Sequence, residues 1–172
     1  MHYVMCRAMS KTIQVELSDG SIKSAIKELR QYNAWIQDKE AELRSRLAML
    51  GATVASIQFS RAIYNGSNDI SVRVDDTGSV AVIYAEGESV AFIEFGSGKK
   101  YGYGHPQAGE FGFGPGTWRD GPDGKEHWDT DHGWWYGSGQ HSYGNPPAMA
   151  MYSAVKEITE NVTRIAKEVF ST

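Results

Sequence analysis

The chain has 172 residues, a formal net charge of -4, 41% hydrophobic and 22% charged residues, which is ordinary for a folded domain and excludes wholesale disorder. Its basic residues are spread along the chain rather than gathered in a stripe, which disfavours a direct grip on nucleic-acid phosphates. A single cysteine, Cys6, excludes an intrachain disulfide or a cysteine-held metal cluster. The length suits one domain over residues 1–172, a core of about 100 to 150 residues with an elaborated loop. No apolar run approaches a membrane span and the first residues lack the pattern of a secretory signal, so a protein made and used in the cytoplasm is expected.

In chain order, Thr12 to Leu17 alternates Ile13, Val15 and Leu17 with polar residues, which predicts a short half-buried strand, and Ser18-Asp19-Gly20 predicts a turn. From Ser21, the expected N-cap, Ile22, Ile26, Leu29, Tyr32, Ile36, Leu43, Leu47 and Leu50 mark one face of a long amphipathic helix. Gly51 is expected to close that helix as a left-handed cap, with Val54, Ala55, Phe59, Ala62 and Ile63 forming a second, shorter one.

After a loop at residues 65–69, ISVRVDD and SVAVIYAEG read as a β-hairpin turning at Asp76-Thr77-Gly78. Its inward face is expected to carry Ile70, Val72 and Val74 on one strand and Val80, Val82 and Tyr84 on the other. Gly87 to Phe95 reads as a short helix in preference to a third strand. Pro146 and Pro147 mark entry to a last helix with the stripe Met151, Val155, Ile158, Val162, Ile165 and Val169, and no internal repeat appears. The expected class is therefore α+β, with long N-terminal and C-terminal helices packed on a small antiparallel sheet.

Between these elements lies a Gly/aromatic-rich insert at about residues 96–144, holding Trp118, Trp128, Trp134, Trp135 and Tyr136 among dense glycine. A flexible linker would carry no such rings, so the insert is expected to be ordered, or to order against a partner. Tyr and Trp combine large contact area with low rotamer cost, which makes Trp134, Trp135 and Tyr136 interface candidates. The other reading folds the rings back on the hairpin or last helix as a satellite core. Tryptophan faces also suit pyranose rings, which gives a carbohydrate- or cell-surface-binding module as an alternative function.

The segment HWDTDH offers His127, Asp129, Asp131 and His132 as metal ligands of a metal-dependent hydrolase, a second alternative. It lacks an HExxH spacing, and solvated turn residues account for it better, so no metal or cofactor is expected. Glu94, between two aromatics, would have a raised pKa as a catalytic acid. The expectation preferred here is that its carboxylate accepts hydrogen bonds from backbone amides of the following glycine turn or pairs with an Arg or Lys. The glycines of the insert form no phosphate loop, Ser138 lacks nucleophile-elbow spacing, and Cys6 has no cue for activation. No catalytic set emerges.

The order FIEFGSG (Phe92 to Gly98), an aromatic insert with GWWY (Gly133 to Tyr136), then NPPAMAMYSA (Asn145 to Ala154) resembles the tail-completion and neck proteins of long-tailed phages, the Hong Kong 97 gene-product-ten type. The resemblance covers most of the chain. It differs where the family often has Gly-Thr-Gly in place of Gly96-Ser97-Gly98, and a Pro-Phe pair in place of Pro147-Ala148-Met149. It implies a non-enzymatic virion protein assembled in the host cytoplasm, located at the head-tail junction or tail terminus, and forming rings, commonly hexameric. The implied partners are copies of itself and tail-tube or connector proteins. Phe92, Glu94, Phe95, Gly96 and Gly98 would fix the loop root, with Pro147, Ala148 and Met149 as the closing corner and the insert tryptophans, Pro147 and Met149 as interface candidates.

Overall fold

The computed structural model describes residues 13–64, 66–98, 101, 104–111, 133–135 and 139–171. The elements are α1 (Asp19–Ser60), β1 (Ser71–Asp75), β2 (Val82–Glu86), α2 (Val90–Phe95), β3 (Trp134–Trp135), β4 (His141–Ser142) and α3 (Ala150–Phe170). This is an α+β chain, with long N-terminal and C-terminal helices and a small antiparallel two-stranded sheet. It separates into two compact units, Met1–Ala41 and Glu42–Thr172, divided within α1. No described helix is long and apolar enough to cross a membrane.

The N-terminal elements differ from the sequence expectation. Residues 13–18 form no strand; Leu17 is fully exposed, and extended backbone without a neighbouring ladder has little to hold it. The helix starts two residues before Ser21, because Ser18 is the cap: its Oγ accepts the Ser21 N–H at 3.3 Å and its carbonyl accepts the Ile22 N–H at 3.0 Å. Ser21 reaches backwards, its Oγ accepting the Glu16 N–H at 2.9 Å. Within the first unit Ala25 is buried and Tyr32 stacks on Trp35, with ring centroids 5.6 Å apart.

Gly51 does not end α1. The helix passes through it to Ser60, merging the two helices expected from sequence. Glycine is there for proximity: a Cβ would lie 2.6 Å from Ile158 Cδ1 and 2.7 Å from Ile83 Cδ1. The helix therefore carries a notch into which tips from α3 and β2 fit, and that packing offsets the about 1 kcal/mol that glycine costs in a helix interior.

The core of the second unit is built from Ala55 and Phe59 of α1, Ile93 of α2, and Ala150 and Ala154 of α3, with Val72, Ala85 and Met151 packed against it. Its buried residues include three alanines, so the helices meet through small side chains. The hairpin pairs Val72 with Ala85 and Val74 with Ile83. Directly opposed residues share a face, so the half-buried set is Val72, Val74, Ile83 and Ala85, while Val82 and Tyr84 point outward, opposite to the phase expected for the second strand. The connection spans residues 76–81, twice the expected turn, and this length sets the register.

On α3 the buried positions are Ala150, Ala154, Ile165 and Val169, whereas Val155 and Val162 are exposed. The expected stripe was displaced because alanines, not valines, meet α1 and α2 in the first turns.

Charged groups fasten the elements. Arg44 Nε of α1 donates to Asp76 Oδ1 at 2.6 Å, and Arg46 Nη2 donates to Glu168 Oε2 at 2.9 Å, with Arg164 on the same carboxylate. Arg44 holds the Asp76 carboxyl below the usual carboxylate range, Arg164 does the same for Glu168, and the Glu88 N–H lowers Asp69.

Two predictions follow from this packing. Depressed carboxyl pKa values contribute stability that is complete above the unfolded value near 4 and is lost as pH falls through the folded ones. The thermal midpoint should therefore drop as pH is lowered below about 4.5, and Asp76→Asn should flatten that drop; an unchanged pH profile would remove Asp76 from the account. Gly51→Val should destabilise by about 1–3 kcal/mol through overpacking, with partial rescue by Ile83→Ala, as read by urea unfolding.

Candidate functional site at the root of the insert

The insert leaves and returns at one point. Ser97 and Asn145 form an isolated antiparallel bridge, with Ser97 N–H to Asn145 O at 3.0 Å and Asn145 N–H to Ser97 O at 3.2 Å. Their side chains are also bonded, the Ser97 hydroxyl donating to Asn145 Oδ1. Asn145 Nδ2 donates to the Phe92 carbonyl at 2.9 Å and to that of Pro146 at 3.3 Å. Ala148 N–H then donates to Ile93 O at 2.8 Å and Met149 N–H to Glu94 O at 3.2 Å, so the closing segment runs alongside the end of α2.

Glu94 ties this root to α3. Its side chain is buried at 5% exposure, and its carboxylate accepts the N–H groups of Ala150 at 2.7 Å, Met151 at 3.0 and 3.1 Å, and Tyr152 at 3.1 Å. These are the donors that a helix N-terminus leaves without partners, and the macrodipole there favours a negative charge. The expectation places this carboxylate on amides of the following glycine turn or on a cation; backbone amides do hold it, but they are those of the entrance of α3, more than fifty residues on. Met149 precedes them in left-handed conformation, φ 50°, and makes no side-chain cap, so Glu94 does from a distance what a capping Ser or Asp does locally.

His105, 2% exposed, closes the cluster. The Gln107 N–H donates to its Nδ1 at 3.1 Å, which assigns the ring hydrogen to Nε2, 3.3 Å from Glu94 Oε1. Phe95 lies against the imidazole at 4.5 Å between centroids and Tyr152 meets it edge-on at 5.6 Å. With both ring nitrogens engaged and the carboxylate receiving four donors, the pair is an anchoring device and presents no vacant base to a substrate.

Around this anchor the backbone turns sharply. Gly96 and Gly98 take φ of 79° and 78°, a region that L side chains rarely adopt, and each approaches returning backbone closely: Gly96 faces Pro147 N and Gly98 faces Tyr143 O. The motif residues Phe92, Glu94, Phe95, Gly96 and Gly98 are thus gathered with Pro147 and Met149 in one place. Sequence reasoning missed His105, Ser97 and Asn145 as members of it. Asn145 ahead of two prolines was a signal for a turn-stabilising amide; His105 is 11 residues from Glu94 through irregular backbone, and no spacing rule pairs them.

Beyond the root, β3 pairs with β4 and places Trp135 opposite His141. His141 meets Trp135 edge-on at 4.7 Å and Tyr143 edge-on at 4.6 Å, giving a short aromatic ledge. Trp135 is 72% exposed and Tyr143 57%, so these rings do not fold back into a satellite core. Phe111, 60% exposed, behaves differently in packing partly on Phe95, 5.7 Å away. Trp118, Trp128, Tyr136 and the HWDTDH residues His127, Asp129, Asp131 and His132 lie outside the described residues, as does the Trp134 side chain. Among the described residues no group of three His, Cys, Asp or Glu could hold a metal ion.

Comparison of the chain with known protein families, curated proteins and solved structures finds no match.

Replacing Glu94 by Ala leaves three N–H groups of α3 without this acceptor, that of Ala150 buried and those of Met151 and Tyr152 part-buried, and should cost about 2–5 kcal/mol; Glu94→Gln, which keeps one acceptor oxygen, should cost less. Urea unfolding gives the total, and amide exchange at Ala150 to Tyr152 should accelerate first. Equal protection in wild type and Glu94→Ala would refute the cap.

Proposed function

We propose that this chain is a structural virion protein of a tailed phage, acting without catalysis as a ring-forming subunit at the head-tail junction or tail terminus. Its partners are other copies of itself and tail-tube or connector proteins. The order FIEFGSG, aromatic insert, NPPAMAM supports this reading by resemblance. The observation that carries it is the exposed Trp135-His141-Tyr143 ledge held on a locked root. Closing a ring by rotation requires an element on one protomer that enters a receiving surface on the next, and an aromatic ledge on an anchored stem has the chemistry of such an arm. Exposed large rings gain nothing in water, so a role in contact explains them where a role in folding does not.

The test is the solution mass by light scattering across a wide concentration range, with assembly in phage particles followed by microscopy. The wild type is expected to form a closed multimer, alone or on addition of its tail partner. Trp135→Ala with Tyr143→Ala should weaken assembly by about tenfold or more while leaving the helical circular dichroism intact, because both side chains are exposed. Undisturbed assembly in the double variant would exclude the ledge as the arm.

A further inference from the structure

The root of the insert holds a titratable group that the assembly reading leaves unused. His105 is almost fully buried, and its two ring nitrogens are engaged in opposite ways. Nε2–H faces Glu94 Oε1 at 3.3 Å, whereas Nδ1 accepts the Gln107 N–H at 3.1 Å. The first contact tolerates a charged imidazole and the second does not, because what Nδ1 offers Gln107 is a lone pair. Imidazole is the side chain whose charge changes between about pH 5 and 8. A second proton here sets two N–H donors against each other at Nδ1, while the contact with the Glu94 carboxylate gains charge and strengthens.

The groups around the imidazole decide which side gives way. From α2 come the Glu94 carboxylate and the Phe95 ring; from α3 comes Tyr152, edge-on, together with the positive end of the helix dipole. On the same turn as His105, Glu110 is exposed and accepts from Gln107 Nε2 at 3.4 Å. Glu94 is fixed by the Ala150, Met151 and Tyr152 N–H groups, so the carboxylate stays in place when the imidazole charges. The turn is held less firmly. Its own backbone bonds are long, Ala108 N–H to His105 O at 3.2 Å and Phe111 N–H to Gln107 O at 3.4 Å, and the Gln107 bond to the imidazole is only part-buried.

We infer that His105 is an acid-sensitive latch on the insert: protonation at Nδ1 breaks the bond to the Gln107 N–H and loosens the turn at residues 104–111, while Nε2 keeps the imidazole on Glu94. The latch is shut while Nδ1 is unprotonated and opens as pH falls. Phe111, at the end of that turn, lies on Phe95 at 5.7 Å, so opening frees an aromatic side chain at the base of the insert without releasing α3. This concerns the buried anchor and not the exposed ledge, so either reading can fail without the other.

The full chain is followed by nitrogen-15 magnetic resonance from about pH 8 to 5, reading the imidazole nitrogens and the exchange protection of single amides, corrected for the intrinsic pH dependence of exchange. Protonation of His105 Nδ1 should coincide with a loss of about tenfold in protection at Gln107, as expected for one lost hydrogen bond, with Ala150 to Tyr152 unchanged. His105→Asn, whose side-chain oxygen can accept the same N–H but does not titrate, should keep Gln107 protected across the range. If that variant does not fold, the nitrogen signals of the wild type still decide. The inference is overturned by Gln107 protection that stays constant to pH 5, whether or not Nδ1 takes the proton. Simultaneous loss at Ala150 to Tyr152, or a pH response that persists in His105→Asn, would overturn it as well.

Discussion

The buried carboxylate of Glu94, seated on the first N–H groups of α3, is the constraint on which the rest of the second unit depends. A carboxylate at this depth is costly unless fully bonded, and here three consecutive backbone donors and an imidazole supply the bonds. Because the donors belong to the start of α3 and the acceptor to the end of α2, the interaction determines where the last helix begins. Ala150 and Ala154 then fall against Ile93, Ala55 and Phe59. The same anchor brings residues 145–149 beside residues 93–97, and so shuts the insert at its base.

Closing the base matters for what the insert can do. A long loop on a loose hinge would lose any contact energy to the entropy of ordering its stem. With the stem held by the Ser97–Asn145 bridge and the sharp turns at Gly96 and Gly98, a ledge such as Trp135-His141-Tyr143 starts partly organised. Anchoring and exposure are complementary here: polar groups satisfy one another inside the root, and the rings of Trp135 and Tyr143 remain outside.

The helix α1 serves two environments with one pattern. In the second unit its seam is part-covered, notched at Gly51 to admit Ile83 and Ile158, and edged by ion pairs. In the first unit Ile22, Ile26, Leu29 and Ile36 of the same helix stand exposed. Helical periodicity is indifferent to this distinction, since an apolar stripe states only that something covers it.

Element types were legible from local pattern: the long helix from its three- and four-residue steps, the hairpin from two β-branched runs, α2 from the break at residues 85–88, and α3 from its proline entry. Part of the root was legible too: the resemblance implied Phe92, Glu94, Phe95, Gly96 and Gly98 as its residues, and Glu94 between aromatics signalled a bonded carboxylate, whereas His105, Ser97 and Asn145 were not read as members. What tertiary structure decided were the choices that depend on a neighbour. Gly51 reads as a stop by propensity but is a notch, because Ile158 and Ile83 require the space. The inward phase of β2 belongs to Ile83 and Ala85 because the longer connection sets their pairing with Val74 and Val72. Val155 and Val162 face outward because Ala150 and Ala154 fit the helix contact more closely. The backbone donors of Glu94 come from residues more than fifty positions away. Local sequence carries the periodicity and the turn chemistry of each segment, whereas close approach, register and long-range hydrogen bonding are properties of two segments at once, and only the folded chain brings both together.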